Sequence, residues 1–161
     1  MEVILSSHMG MCFGVRDAIS AALAVGNPTQ VTIHGELVHN PLVVGELRER
    51  GFAMTGETQR AGLPATPFVL ITAHGVSEKE RRRLEEAGKC LVDTTCPLVR
   101  RVHQAAQELQ RDGWFVVVLG RHGHVEVEGI VGDLERYAVV QSPADVRPFG
   151  QVAEELGQGQ A

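Results

Sequence analysis

The chain has 161 residues, 43% of them hydrophobic and 22% charged, with a formal net charge of −5. That length bounds it to one domain or two small ones, and the acidic balance argues against a nucleic-acid or membrane-surface role. No apolar run reaches the length of a membrane span, and residues 1–5 lack the basic start and long apolar segment of a secretory signal, so a cytoplasmic location is expected.

Short β-branched runs alternate with helical patterns along the whole chain. Strands are expected at Val3–Leu5, Val31–Ile33, Phe68–Ile71, Leu91–Asp93, Phe115–Leu119 and Val139–Val140. Helices are expected at 14–25, 41–50, 77–87, 97–111, 125–135 and 143–148. Such alternation implies parallel strands joined by crossover helices, an α/β fold. Phe115–Leu119 is apolar on both faces, as a central parallel strand would be. Residues 150–161 are rich in Gly and Gln and read as a loose tail, with one short helix at Val152–Leu156. With aromatics at only 4%, the core must be aliphatic.

One pattern repeats. Cys12 follows a strand-like run and precedes a helix-like one, and so does Cys96; they are 84 positions apart (96 − 12). His39 lies 27 after the first (39 − 12) and His124 lies 28 after the second (124 − 96). This is the signature of a duplicated strand–cysteine–helix–histidine unit, with a boundary expected near Cys96-Pro97 and units of 1–95 and 96–161. In parallel α/β sheets ligands bind at the carboxyl ends of strands. His34, His39, His74, Cys12, Cys96, His122 and His124 all fall at such ends.

Three cysteines is an odd number, and in a reducing compartment free thiols, metal ligands or catalytic groups are expected rather than disulfides. Cys12 lies between Gly10 and Gly14, and Pro97 makes Cys96 a helix cap. A sulfur at a helix start meets the positive end of the helix dipole, so both are candidate thiolates. Cys90 lacks that setting and is expected in the core; Trp114 is expected to pack at a strand start. His39, His74 and His124 can ligate a metal or hold an anion, and Glu126 is a candidate proton donor. The charge run Lys79–Arg83 reads as a solvated helix face. No phosphate-loop or dinucleotide fingerprint is present. Spacing alone leaves a cysteine- and histidine-lined site for an anion or a metal, without distinguishing a cluster from a catalytic thiol.

The motifs Gly10-Met11-Cys12-Phe13-Gly14-Val15, Leu37-Val38-His39-Asn40, Ala73-His74-Gly75-Val76-Ser77, Asp93-Thr94-Thr95-Cys96-Pro97-Leu98-Val99 and Gly123-His124-Val125-Glu126-Val127-Glu128-Gly129, in this order, resemble the LytB family from about residue 2 to Asp145. That family is 4-hydroxy-3-methylbut-2-enyl diphosphate reductase, an oxidoreductase of non-mevalonate isoprene biosynthesis. The resemblance implies a pseudo-threefold fold of three related α/β units around a 4Fe-4S iron–sulfur cluster held by three cysteines. Cys12 and Cys96 match the first two ligands. His39 and His74 match diphosphate-binding histidines, His124 matches a substrate-site histidine, and Glu126 matches the acid that helps deliver protons. An electron donor such as ferredoxin or flavodoxin is implied as partner.

Family members are roughly twice as long, on the scale where chains divide into several domains. This chain is expected to lack the third unit, with its cysteine and its Ser/Thr/Asn residues of the diphosphate site. Cys90 does not match the third ligand, and Val125 stands where the family has Pro. The expectation is therefore a truncated form of the reductase, with exposed faces that favour self-association. The alternative is a non-catalytic module that binds a diphosphate through His39, His74 and His124.

Overall fold

The computed structural model describes residues 2–4, 10–56 and 59–146. Residues 3 and 4 of the first expected strand carry no regular structure, while Leu5 and the helix expected at Val152–Leu156 lie outside the described residues. The chain divides into two compact units, Met1–Gly75 with Arg83–Arg100, and Val76–Arg82 with Arg101–Ala161.

The helices are α1 (Phe13–Leu23), α2 (Pro41–Glu49), α3 (Glu78–Glu86), α4 (Pro97–Arg111) and α5 (Val125–Val131). The strands are β1 (Val31–His34), β2 (Ala53–Met54), β3 (Phe68–Ile71), β4 (Cys90–Asp93), β5 (Val116–Leu119) and β6 (Tyr137–Val140). Residues 143–146 form a 3-10 turn where a helix to 148 is expected. α5 ends at Val131, with Gly132 as its C-cap, four residues before the expected end at 135.

The first unit holds a four-stranded sheet in the order β2-β1-β3-β4, every pair parallel. All four residues of β1 are buried, as are Val69, Leu70 and Ile71 of β3. This is the pattern of inner parallel strands covered on both faces. Ile33 and Leu70 are cross-strand partners and sit in one core with Ala18 and Ala22 of α1 and Leu47 of α2. Ala18 and Ala22 are four apart and so share one face of α1.

Cys90 opens β4, an end strand, and is exposed rather than in the core. Apolar neighbours in sequence do not bury the first residue of an edge strand. α2 starts where its sequence says it should. Asn40 caps it, its Oδ1 accepting from Leu42 N (3.0 Å) and Val43 N (3.4 Å), and Pro41 fills the first helical position.

The second unit has a parallel pair, β5 and β6, with a small core of Ala106, Val116, Ile130 and Leu134. β5 departs from expectation. Val117 is 51% exposed and Leu119 80%, so the strand is covered on one side only. Trp114, expected to pack, is 64% exposed. A groove of about 540 Å³ runs beside β5, with Val102, Ala105 and Leu109 of α4 among its lining residues.

Asp133 ties this unit together. Its carboxylate accepts from Glu78 N (2.7 Å) and Lys79 N (3.0 Å) at the start of α3, and from Gln107 Nε2 (2.9 Å). It thus caps α3 from a distant turn. Asp133→Ala is expected to cost about 1–2 kcal/mol, as for a lost N-cap. The check is a lower urea midpoint at unchanged slope.

Candidate functional site

Both cysteines sit where the sequence puts them. Cys12 is the N-cap of α1, and its carbonyl accepts from Arg16 N at 3.0 Å. Cys96 immediately precedes α4, and its carbonyl accepts from Arg100 N at 3.0 Å. Each thiol is therefore held at the open end of a helix. Cys12 is exposed and Cys96 half-buried.

The turn that presents Cys96 is fixed by a small network. Thr94 Oγ1 donates to Ile71 O (2.6 Å), and Asp93 Oδ1 accepts from Thr95 N (2.9 Å) and Thr95 Oγ1 (2.6 Å). Arg100 Nη2 pairs with Asp93 Oδ2 at 2.8 Å. Cys96 N donates to Ala73 O (3.0 Å), which joins this turn to the loop bearing His74.

His74 stacks on His39, with ring centroids 4.3 Å apart and planes inclined at 28°. His74 is buried, and the turn it occupies needs Gly75 at φ +73°, a left-handed conformation that favours glycine. His39 is exposed, and its Nδ1 lies 3.4 Å from Glu36 Oε2, a surface contact of little energy.

Gly14 closes the arrangement. A Cβ added there would lie 2.5 Å from Cys96 Sγ and 3.0 Å from Cys96 Cβ. The first turn of α1, two residues after Cys12, is thus pressed against Cys96. Four of the six expected site residues, Cys12, Cys96, His39 and His74, therefore belong to one edge of the first unit. The tight seat of Cys96 against Gly14 was not singled out in the sequence; its only signal there is a glycine two residues after a cysteine.

His124 and Glu126 belong to the second unit. His124 is the N-cap of α5, and its Nδ1 accepts from Glu126 N at 3.3 Å, which leaves the ring proton of a neutral imidazole on Nε2. Gly123 before it has φ +71°. Both residues are half-buried and line the groove beside β5.

The two copies now align more closely than their histidines do. Each first helix starts one residue after its cysteine. The second helix starts 29 after it (41 − 12 and 125 − 96), and the second strand 41 after it (53 − 12 and 137 − 96). His39 stands one residue before the cap of its helix, whereas His124 is the cap itself. That is the one-residue difference in histidine spacing.

Thiolate sulfur is a soft donor, suited to iron–sulfur clusters and other thiophilic metals. Two thiols at neighbouring helix starts, one packed on a glycine that leaves no room for a Cβ, fit that role. Among the described residues no three Cys, His, Asp or Glu side chains are gathered as a metal centre.

Fold and site together define a class: parallel α/β proteins that carry thiols and imidazoles at the carboxyl ends of their strands. The family model described as LytB protein matches residues 3–157. The chain belongs to the LytB family. It is 35% identical over 143 residues to the 4-hydroxy-3-methylbut-2-enyl diphosphate reductase of Caldanaerobacter subterraneus, covering 87% of this chain and 50% of that one. The corresponding protein of Acinetobacter baumannii is 36% identical over 154 residues, covering 91% and 48%.

Among solved structures, the E-1-hydroxy-2-methyl-but-2-enyl-4-diphosphate reductase of Plasmodium falciparum superposes with a TM-score of 0.76 at 26% identity, over 86% of this chain and 44% of that one. A structure of (E)-4-hydroxy-3-methyl-but-2-enyl diphosphate reductase gives 0.71 at 34% identity, over 89% and 52%. The chain spans about half the length of the relatives it matches. Among the described residues, no helix is long and apolar enough to cross a membrane.

Proposed function

We propose that this chain carries part of the site for reductive dehydroxylation of 4-hydroxy-3-methylbut-2-enyl diphosphate. The observation that carries the reading is the joint edge of the first unit: two helix-start thiols, a glycine seated on one of them, and two stacked imidazoles. Cys12 and Cys96 would hold two irons of a 4Fe-4S cluster. Such a cluster, when bound, supplies electrons and an iron site open to the substrate hydroxyl. His39, His74 and His124 bind the diphosphate, and Glu126 delivers a proton.

The balance is two electrons and two protons. The allylic C–O bond breaks, one proton leaves with the hydroxyl as water, and the other ends on carbon, giving isopentenyl or dimethylallyl diphosphate. The electrons come from a one-electron donor such as ferredoxin or flavodoxin. A third thiolate is required from outside the pair described, because Cys90 opens an edge strand in a different setting. The matching helix and strand spacings support a duplication of residues 1–95 into 96–161. The exposed apolar residues of β5 and α4 support self-association of the chain.

Anaerobic reconstitution with iron and sulfide tests the reading. Visible thiolate-to-iron absorbance is expected in the parent chain and in Cys90→Ser. It is expected to fall by more than half in Cys12→Ser and Cys96→Ser, since loss of even an outer-shell partner of a ligand weakens metal binding by about 10–100-fold and these variants remove the ligand itself. Equal iron in all four proteins would reject the assignment. The stacked His39–His74 pair also favours a second reading, a diphosphate-binding module without redox chemistry. Calorimetry of the iron-free chain with the substrate diphosphate separates the two, since the module must bind without iron.

A further inference from the structure

His103 is assigned no part in the reading above. It lies within α4 in the second unit and is half-buried. Its ring rests on the backbone of α5. A Cβ added at Gly129 would lie 3.1 Å from His103 Cε1 and 3.3 Å from Nε2. Gly129 is three residues past Glu126, so the two share a face of α5 one turn apart. A side chain at position 129 would push the ring back by a few tenths of an ångström. His103 Nε2 is buried and has no hydrogen-bond partner among the described residues. A buried ring nitrogen left unpaired costs free energy, so its retention calls for a reason.

The charges around the ring supply one. Asp133 follows α5, Glu78 opens α3, and Glu126 sits in the first turn of α5; all three act on His103. Burial pushes its pKa below the ordinary 6.5, and the carboxylates of Asp133, then Glu78, then Glu126, pull it back up. The ring is therefore neutral at neutral pH and gains a proton only below its ordinary range. The sign for stability follows. A lowered folded pKa gives a contribution that is present above 6.5 and lost as pH falls through the folded value.

We propose that His103 is a positioning residue for Glu126: packed on Gly129, its ring holds the first turns of α5, and its proton occupancy is linked to that of the Glu126 carboxyl. A carboxylate at position 126 makes His103 the better proton acceptor, so the ring reads the charge of the Glu126 side chain. The consequence for proton delivery rests on the reading of Glu126 above, but the linkage does not.

The test is a pH titration of the His103 ring by proton–carbon NMR in the 161-residue chain, the signal being assigned with His103→Gln. Glu126→Gln is expected to move the titration to lower pH, because an attractive neighbour is removed. Gly129→Ala is expected to move it to higher pH, because the new methyl drives the ring toward water. A Glu126→Gln curve that overlays the parent curve overturns the proposal, and this variant suffices if Gly129→Ala fails to fold. The two readings fail separately. An unmoved titration removes His103 whatever the iron content of the Cys12→Ser and Cys96→Ser proteins shows. A moved titration upholds the linkage even where those variants bind as much iron as the parent, the result that rejects the cluster assignment.

Discussion

Gly14→Ala is expected to destabilise the first unit by about 1–2 kcal/mol and to alter the reactivity of Cys96. Two effects of opposite sign compete. Alanine is favoured over glycine in a helix interior by about 1 kcal/mol, and by less in the first turn, where Gly14 sits. Against this, the new methyl would lie 2.5 Å from Cys96 Sγ and 3.0 Å from its Cβ. Overpacking of that kind costs about 1–3 kcal/mol. The sulfur can escape by rotation, but the Cβ is fixed to the backbone, so the steric cost wins.

A double-mutant cycle isolates the sulfur's share. Cys96→Ala removes Sγ and keeps Cβ. Gly14→Ala should therefore cost less in that background, with a coupling energy of at least about 0.5 kcal/mol. Thiol titration supplies the second readout: Cys96 should react at a changed rate while Cys90, exposed at the start of β4, does not. Unchanged stability and unchanged Cys96 reactivity would show that the two helix starts are not in contact.

Local signals carried most of the fold. α4 occupies 97–111 as expected, because Pro97 fixes its start and Gly113, at φ +88°, lies just past its end. β3 occupies Phe68–Ile71 as expected, since a four-residue apolar run bounded by turns is a strong signal for an inner strand. β2 escaped notice because two residues have no periodicity to read. The errors at Cys90 and Trp114 share one cause. Hydrophobic pattern tells which residues want burial, whereas position in the sheet decides which of them obtain it.

The site was legible as types and lost as contacts. His39 and His74 each stand out beside a turn, but their stacking joins loops 35 residues apart (74 − 39). The seat of Cys96 on Gly14 joins positions 82 apart (96 − 14). Neither pairing has a local signal. His103 had none either, since a histidine inside a long amphipathic helix reads as one more polar position.

The contrast between the two sheets yields the other large effect. Leu70 is 0% exposed on β3, an inner strand whose partner Ile33 is equally buried. Leu70→Ala is expected to cost about 2–5 kcal/mol, the transfer term for the lost atoms plus the cavity they leave. Leu119 is also a strand leucine, at the end of β5, yet it lies in solvent beside Val117 and the groove. Leu119→Lys should change stability by no more than about 0.5 kcal/mol, as for surface substitutions in general. Its effect should appear in association instead. A lysine on an open strand is a standard barrier to edge-to-edge pairing, so the weight-average mass of Leu119→Lys in sedimentation should lie below that of the parent chain at the same concentration. Denaturant unfolding of Leu70→Ala and sedimentation of Leu119→Lys thus test one claim from two sides: the β1–β3 sheet holds its hydrophobic surface within the unit, and the β5–β6 sheet offers its own to another surface. Equal masses for Leu119→Lys and its parent, with a destabilisation as large as that of Leu70→Ala, would show that β5 is covered after all.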